Sequence, residues 1–172
     1  DKERYVQLFE YQTSTKENSN KFINVWTDTD HAGCLETRKS TSGGVVMLNN
    51  HNVKTWSTTQ DTIALSSGEA EYYGMVRGGA QGLGIQSLLR DIGIERKLRI
   101  KTDAAVAKAI SSRRGLGKTR HVEVNQLWLQ EKVNRGTIEV EKICGKTNIA
   151  DLLTKYKTWE PIKDHMKLVN SR

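Results

Sequence analysis

Two apolar runs of this chain end alike. Phe22-Ile-Asn-Val-Trp-Thr27 runs into Asp28, and Leu98-Arg-Ile-Lys-Thr102 runs into Asp103. A buried strand that stops on a carboxylate puts that acid at a sheet edge, and carboxylates at strand ends and helix starts can converge on one edge. Two more acids sit at helix starts: Glu71 in Ser66-Ser-Gly-Glu-Ala-Glu71, and Asp151 in Asn148-Ile-Ala-Asp151. Each has an ordinary explanation. A lone Asp closes a turn, and an acid in a first helical turn complements the helix dipole. Four in this order of elements, in a basic chain, are best explained as a magnesium site that works on a phosphodiester.

The elements around these acids follow from periodicity. Residues 22–28 read as a buried strand, Ser42 to Leu48 as a second and Val53 to Ser57 as a third, joined by short turns into an antiparallel meander. A long helix from Ser67 to Asp91 opens with the capping box Ser66-x-x-Glu69. Its interior holds Gly74, Gly78, Gly79, Gly82 and Gly84. Each costs about 0.8–1 kcal/mol relative to Ala, which implies close packing on the sheet or a break in the helix. Arg96 to Thr102 reads as a fourth strand, Ala104 to Ser111 as a short helix, and His121 to Asn134 as a helix stopped by Gly136. Thr137 to Ile143 alternates as a fifth strand, Thr147 to Tyr156 reads as a helix capped by Thr147, and a last helical turn is expected from Pro161 towards Val169. A meander followed by helix-linked strands predicts an α/β fold: a five-stranded mixed sheet with helices on both faces.

Geometry separates some of the acids. Residues two apart on a helix differ by about 200°, so Glu69 and Glu71 cannot face one site. Glu69 has the capping role and Glu71 is the choice for the site. On the first strand Asp30 competes with Asp28, because alternate residues share a side. Asp103 can serve either as N-cap of the helix that follows or as a ligand. Gly117-Lys-Thr119 resembles the end of a P-loop, but Ser112 stands where that motif needs Gly and a helix precedes it. His31, His51, His121 and His165 show no metal-ligand spacing and read as surface or turn residues.

The formal charge of +7 and pI near 9.4 fit a polyanionic partner. The densest basic segment is Arg113-Arg-Gly-Leu-Gly-Lys-Thr-Arg120, suited to tracking phosphates along a duplex. Cys34 and Cys144 are too far apart in sequence for a zinc or redox motif and suit a reducing interior. No apolar run is long enough to span a bilayer, so no membrane partner is expected. A start at Asp1 suggests a piece of something longer.

Five stretches then resemble the ribonuclease H domain of copia-type LTR retrotransposon polyproteins. They are Thr27-Asp-Thr-Asp-His-Ala-Gly33, Thr37-Arg-Lys-Ser-Thr-Ser-Gly43, Ala64-Leu-Ser-Ser-Gly-Glu-Ala-Glu-Tyr72, Lys118-Thr-Arg-His121 and Ile149-Ala-Asp-Leu-Leu-Thr-Lys155. The resemblance implies a ribonuclease H-like fold and cleavage of the RNA strand of RNA–DNA hybrids, with Mg²⁺, two per site, or Mn²⁺ as cofactor. It implies Asp28 as the acid that bridges two metals, Glu71 and Asp103 on the leaving-group side, and Asp151 on the side that activates water. Asp30 and Glu69 match flanking positions. Ser66, Ser67, Arg113, Arg114, Lys118, Arg120 and Lys146 are the expected substrate contacts. Residues 1–20 would end a connection from a reverse transcriptase domain, 21–157 would form the nuclease domain and 158–172 a helical tail. The expected location is intracellular, in cytoplasm, nucleus or a virus-like particle. Two departures stand out: Ala104 and Ala105 replace the polar pair usual after the third acid, and the long helix is Gly-rich rather than Ala-rich. A catalytically weak or silent hybrid-binding domain is the alternative. A transposase or integrase nuclease of the same fold ranks third.

Overall fold

The computed structural model describes residues 21–49, 51–115, 127–155 and 162. Strands β1 (Phe22–Asp30), β2 (Thr41–Leu48) and β3 (His51–Thr59) form the meander. Helix α1 (Ser67–Asp91) follows, then β4 (Lys97–Thr102), α2 (Ala105–Ser111), α3 (Trp128–Asn134) and β5 (Ile138–Lys142). The chain closes its described part with two 3-10 turns, Gly145–Thr147 and Ile149–Leu153. The five-stranded sheet has the order β3-β2-β1-β4-β5. β1 is antiparallel to β2 and parallel to β4, and β4 is parallel to β5. The expected mixed sheet is therefore present.

Strand parity sorts the faces. Ile23, Val25, Val46, Leu98, Ile100 and Ile138 are buried against α1 and its neighbours in the main core. Val45 and Met47 point the other way and bury against Ile149, with Trp26 and Leu153 packed alongside. Helical structure thus covers both faces, α1 on one and the last 3-10 turn on the other. The basic residues of β4 lie on that second face. Arg99 stacks on Phe22 and Lys101 on Trp26, while Arg99 also pairs with Glu139 and Glu141 of β5.

Helix α1 is continuous, so no break relieves its glycines. Close packing accounts for three of them, at every fourth position. A Cβ on Gly74 would lie 2.6 Å from Thr29 Oγ1, one on Gly78 2.5 Å from Thr27 Cγ2, and one on Gly82 2.4 Å from Leu98 Cδ1. The helix lies nearer the sheet than any side chain would allow. At its N-terminus Ser66 Oγ accepts from Glu69 N, as the capping box predicts. The reciprocal bond is displaced by one residue, because Glu69 Oε2 accepts from Leu65 N. Glu69 is buried and also accepts from Tyr73 Oη. The helix ends in a Schellman motif with Gly93 at φ +80°, where Ile94 N donates to Leu89 O and Gly93 N to Arg90 O.

One local expectation is corrected and one open alternative is decided. The helix expected over Thr147 to Tyr156 is not capped by Thr147: its described part, up to Lys155, holds the 3-10 turn Ile149–Leu153, with Asn148 as the cap, accepting from Ala150 N. Asn148 is fully buried and its amide is committed to β1 and Asp103, which pins the start of the turn where a regular helix would pull it away. Asp103 does not cap α2. The cap position is Ala104, and Thr102 Oγ1 accepts the Ala104 N–H instead. The helix expected over residues 121–134 is described only from Trp128. Residues 1–20, most of the tail and the His121 segment lie outside the described residues.

The glycine stripe makes a paired stability prediction. Gly78→Ala should destabilise the protein by about 1–3 kcal/mol, since overpacking a filled contact outweighs Ala's helix preference. Gly84 is exposed, and a Cβ added there would meet nothing within 4 Å. The same change at Gly84 should therefore gain about 1 kcal/mol. Urea denaturation of the two variants reads both signs.

Candidate metal centre

The pairing of β1 with β4 assembles the first half of the site. Their register aligns Trp26 with Lys101. Two residues further on, the side chains of Asp28 and Asp103 leave adjacent parallel strands on the same side. Glu71 arrives from the first turns of α1. One carboxylate oxygen from each of Asp28, Glu71 and Asp103 lies within 4.8 Å of the others. Asp28 is nearly buried, with 3% exposure. Asp30, its competitor, is not in this group and packs against the turn at Gly33. Glu71 and not Glu69 reaches the cluster, as the helical angle requires.

Asp151 stands beside the trio but outside it. Its Oδ1 accepts a 2.7 Å bond from Lys155 Nζ, one helical turn on, and the same ammonium lies 3.8 Å from Asp28 Oδ2. Thr154 Oγ1 donates to Asp28 Oδ2 in a short hydrogen bond. Three contacts hold this last segment against the sheet. Asn148 Nδ2 donates to Thr27 O at 3.0 Å and to Asp103 Oδ1 at 3.4 Å, and Ser57 Oγ donates to Leu153 O at 2.6 Å. The backbone at Gly145 approaches so closely that a Cβ there would lie 2.8 Å from Asp103 Oδ2.

Crowded acids in a half-dry edge resist ionisation. Burial first, then the charges of Asp28 and Asp103, push the Glu71 carboxyl up to about 8, against a smaller opposing pull from the Thr29 backbone amide and Lys155. Burial also raises Asp28, with Asp151 and Asp103 adding to it and Thr154 and Lys155 opposing. Burial alone would lower Lys155, but the bond to Asp151 and the charges of Asp28, Asp151 and Asp103 outweigh it and raise it. Glu71 Oε2 is buried and has no hydrogen-bond partner among the described residues. Three hard carboxylate donors, with one Glu71 oxygen left unpartnered, fit a Mg²⁺- or Mn²⁺-like ion, which takes carboxylates and keeps several waters. Neither thiol belongs to the group: Cys34 and Cys144 are free and outside it.

The expected substrate contacts are dispersed around this centre. Ser66 and Ser67 are exposed at the start of α1, with Ser66 Oγ already engaged as the cap. Lys146 is exposed on the turn that passes Asp103. Arg113 and Arg114 are exposed at the start of the basic loop. That start is anchored by Gln130, which bonds Ile110 O and both backbone groups of Gly115, and by Asn134, which bonds Arg113 O. Lys118 and Arg120 lie outside the described residues. Asn148, Thr154 and Lys155 are site residues that sequence reasoning misses. The spacing of Lys155 four residues after Asp151 is the available signal.

The architecture is that of ribonuclease H-like proteins. Two solved structures align over most of their length: the N-terminal ribonuclease H domain of a Mycobacterium tuberculosis protein (TM-score 0.52, 16% identity, 87% of this chain and 96% of that one) and a ribonuclease H1 isolated from compost by a metagenomic approach (TM-score 0.52, 18% identity, 78% and 93%). At these identities the likeness establishes the fold. In sequence, the chain is similar to retrovirus-related Pol polyproteins of plant transposons, which bears out the resemblance to copia-type retrotransposon polyproteins. It is 28% identical over 139 residues to that of transposon TNT 1-94 of Nicotiana tabacum, and 27% identical over 143 residues to that of transposon RE1 of Arabidopsis thaliana. These matches cover 80% and 81% of the chain but only 10% of each polyprotein. No family model matches the chain.

The protonated carboxyl and the Asn148 clamp each have a measurable consequence. In chelator, stability should fall as pH rises from about 4.5 to about 8, because the folded chain keeps a Glu71 proton that the unfolded chain releases. Glu71→Gln should flatten that decline in urea titrations run at several pH values. Asn148→Ala removes the cap and both clamps, and should lower stability by about 1–3 kcal/mol in the same assay.

Proposed function

We propose that this chain is an endoribonuclease that hydrolyses the RNA strand of RNA–DNA hybrids by two-metal-ion catalysis, as the ribonuclease H part of a retroelement's reverse-transcription machinery. The observation that carries the reading is the convergence of Asp28, Glu71 and Asp103, from two strand ends and a helix start, on one point of the sheet edge. The similarity to transposon Pol polyproteins supports a reverse transcriptase domain as partner.

In this reading Asp28, Glu71 and Asp103 would hold the divalent ions, with Asp151 as the fourth ligand. Mg²⁺ or Mn²⁺ bound there supplies a hydroxide at neutral pH and stabilises the departing oxyanion. The chain's own residues prepare that chemistry. Thr154 fixes one oxygen of Asp28 and so sets which oxygen stays open. Asn148 ties the Asp151 segment to both strands that carry the other aspartates. Glu71 gives up its proton when a cation arrives, so cation affinity rises with pH towards about 8. The net charge of +7 draws in the duplex by releasing its counterions. Ala104 and Ala105 offer only methyl groups beside Asp103 and no donor or acceptor to read a base, which fits recognition by groove shape with little base preference.

The test is cleavage of an end-labelled hybrid in Mg²⁺ or Mn²⁺. Cutting of the RNA strand is expected, and Asp28→Asn should reduce it about 10³-fold or more while hybrid binding persists. A wild-type protein that binds the hybrid and leaves it whole would establish the silent binding domain instead. Cutting of double-stranded DNA in its place would favour the transposase-like reading.

A further inference from the structure

The last segment brings a cation of its own to the acids. Lys155 Nζ bonds Asp151 Oδ1 at 2.7 Å and lies 3.8 Å from Asp28 Oδ2. It therefore lies between Asp151 and the Asp28 member of the three-carboxylate group. Its side chain is 48% exposed, whereas those of Asp28 and Asp151 are 4% and 18% exposed. The ammonium thus reaches the less exposed acids from the solvent side and has a path back to it. A second divalent ion shared by Asp28 and Asp151 would compete for the Asp151 oxygen that the ammonium holds and would lie within a few ångströms of its charge. An ammonium and a divalent cation cannot hold the same oxygens, since they repel and compete for the same lone pairs. Glu71 Oε2, within the trio, has no such occupant among the described residues.

We propose that Lys155 is a tethered counter-ion that makes cation loading sequential: a first divalent ion enters at Asp28, Glu71 and Asp103, and a second enters between Asp28 and Asp151 only after the Lys155 ammonium leaves. This inference rests on the metal-dependent reading given above. An incoming phosphodiester offers Lys155 an alternative anion, so substrate itself would release the second position. Without substrate, the free protein holds one divalent ion firmly and the second weakly. The device would spare the empty enzyme a fully loaded, hydroxide-generating site.

Calorimetric titration of the free protein with Mn²⁺, together with electron paramagnetic resonance to detect spin coupling between neighbouring Mn²⁺ ions, tests this without any cleavage. Wild type should bind one ion, with the second weaker by about tenfold or more. Lys155→Met keeps the aliphatic stem and removes the charge. It should tighten the second ion by about tenfold or more and produce the coupled signal. Lys155→Arg keeps the charge and should behave as wild type, which separates charge from packing. Two ions of like affinity in wild type, or a Lys155→Met protein that loads as wild type does, would overturn the proposal while leaving the metal centre standing. Absence of any bound ion from both proteins would sink the metal-dependent reading and this inference together.

Discussion

The parallel pairing of β1 with β4 is the constraint on which the site depends. Backbone hydrogen bonding sets the register of Trp26 against Lys101, and that register brings the next same-side residues, Asp28 and Asp103, next to each other. No attraction between the two carboxylates is involved. Their repulsion is outweighed by Ile23, Val25, Leu98 and Ile100, which are fully buried on the opposite side of the same strands. The core thus forces two like charges together at the sheet edge.

Helix α1 adds the third acid through backbone proximity rather than side-chain contact. Thr29 Oγ1 donates to Ala70 O, one residue before Glu71, and Gly74 leaves room for Thr29 directly below. A larger residue at Gly74 or Gly78 would lift this end of the helix and carry Glu71 away from Asp28. The glycines that weaken α1 as an isolated helix are therefore what let it deliver a carboxylate. The helix recovers its stability through burial, since Ala70, Tyr72 and Met75 are fully enclosed.

Much of this was legible in the sequence because it rests on short-range patterns. The apolar runs into Asp28 and Asp103, and the Ser66 to Glu69 capping spacing, each state a strand end or helix start locally. The angular argument that divided Glu69 from Glu71 needed only helical geometry. The end of the chain was harder. Asn148 is a good N-cap residue, but so is Thr147, and local preference does not choose between them. The choice is made by Thr27 and Asp103, more than 40 residues away in sequence, which engage the Asn148 amide. Asp103 likewise had a sound local reading as a helix cap. That reading fails because Thr102 satisfies the free N–H and leaves the carboxylate unspent.

The electrostatics of the edge explain why the last segment is built as it is. Asp28 receives a hydroxyl from Thr154 and an ammonium nearby from Lys155, both from consecutive residues of one turn. The 3-10 turn, held by Asn148 at its start and by Ser57 at Leu153, ends at Leu153, and the residues just past it, Thr154 and Lys155, reach Asp28 while Lys155 also bonds Asp151. The segment supplies an acid to the site together with the charge that makes a fourth acid tolerable there. Asp151 differs in this from Asp28, Glu71 and Asp103. Those three are held by the core and must bear their repulsion, whereas Asp151 arrives already neutralised by its own neighbour.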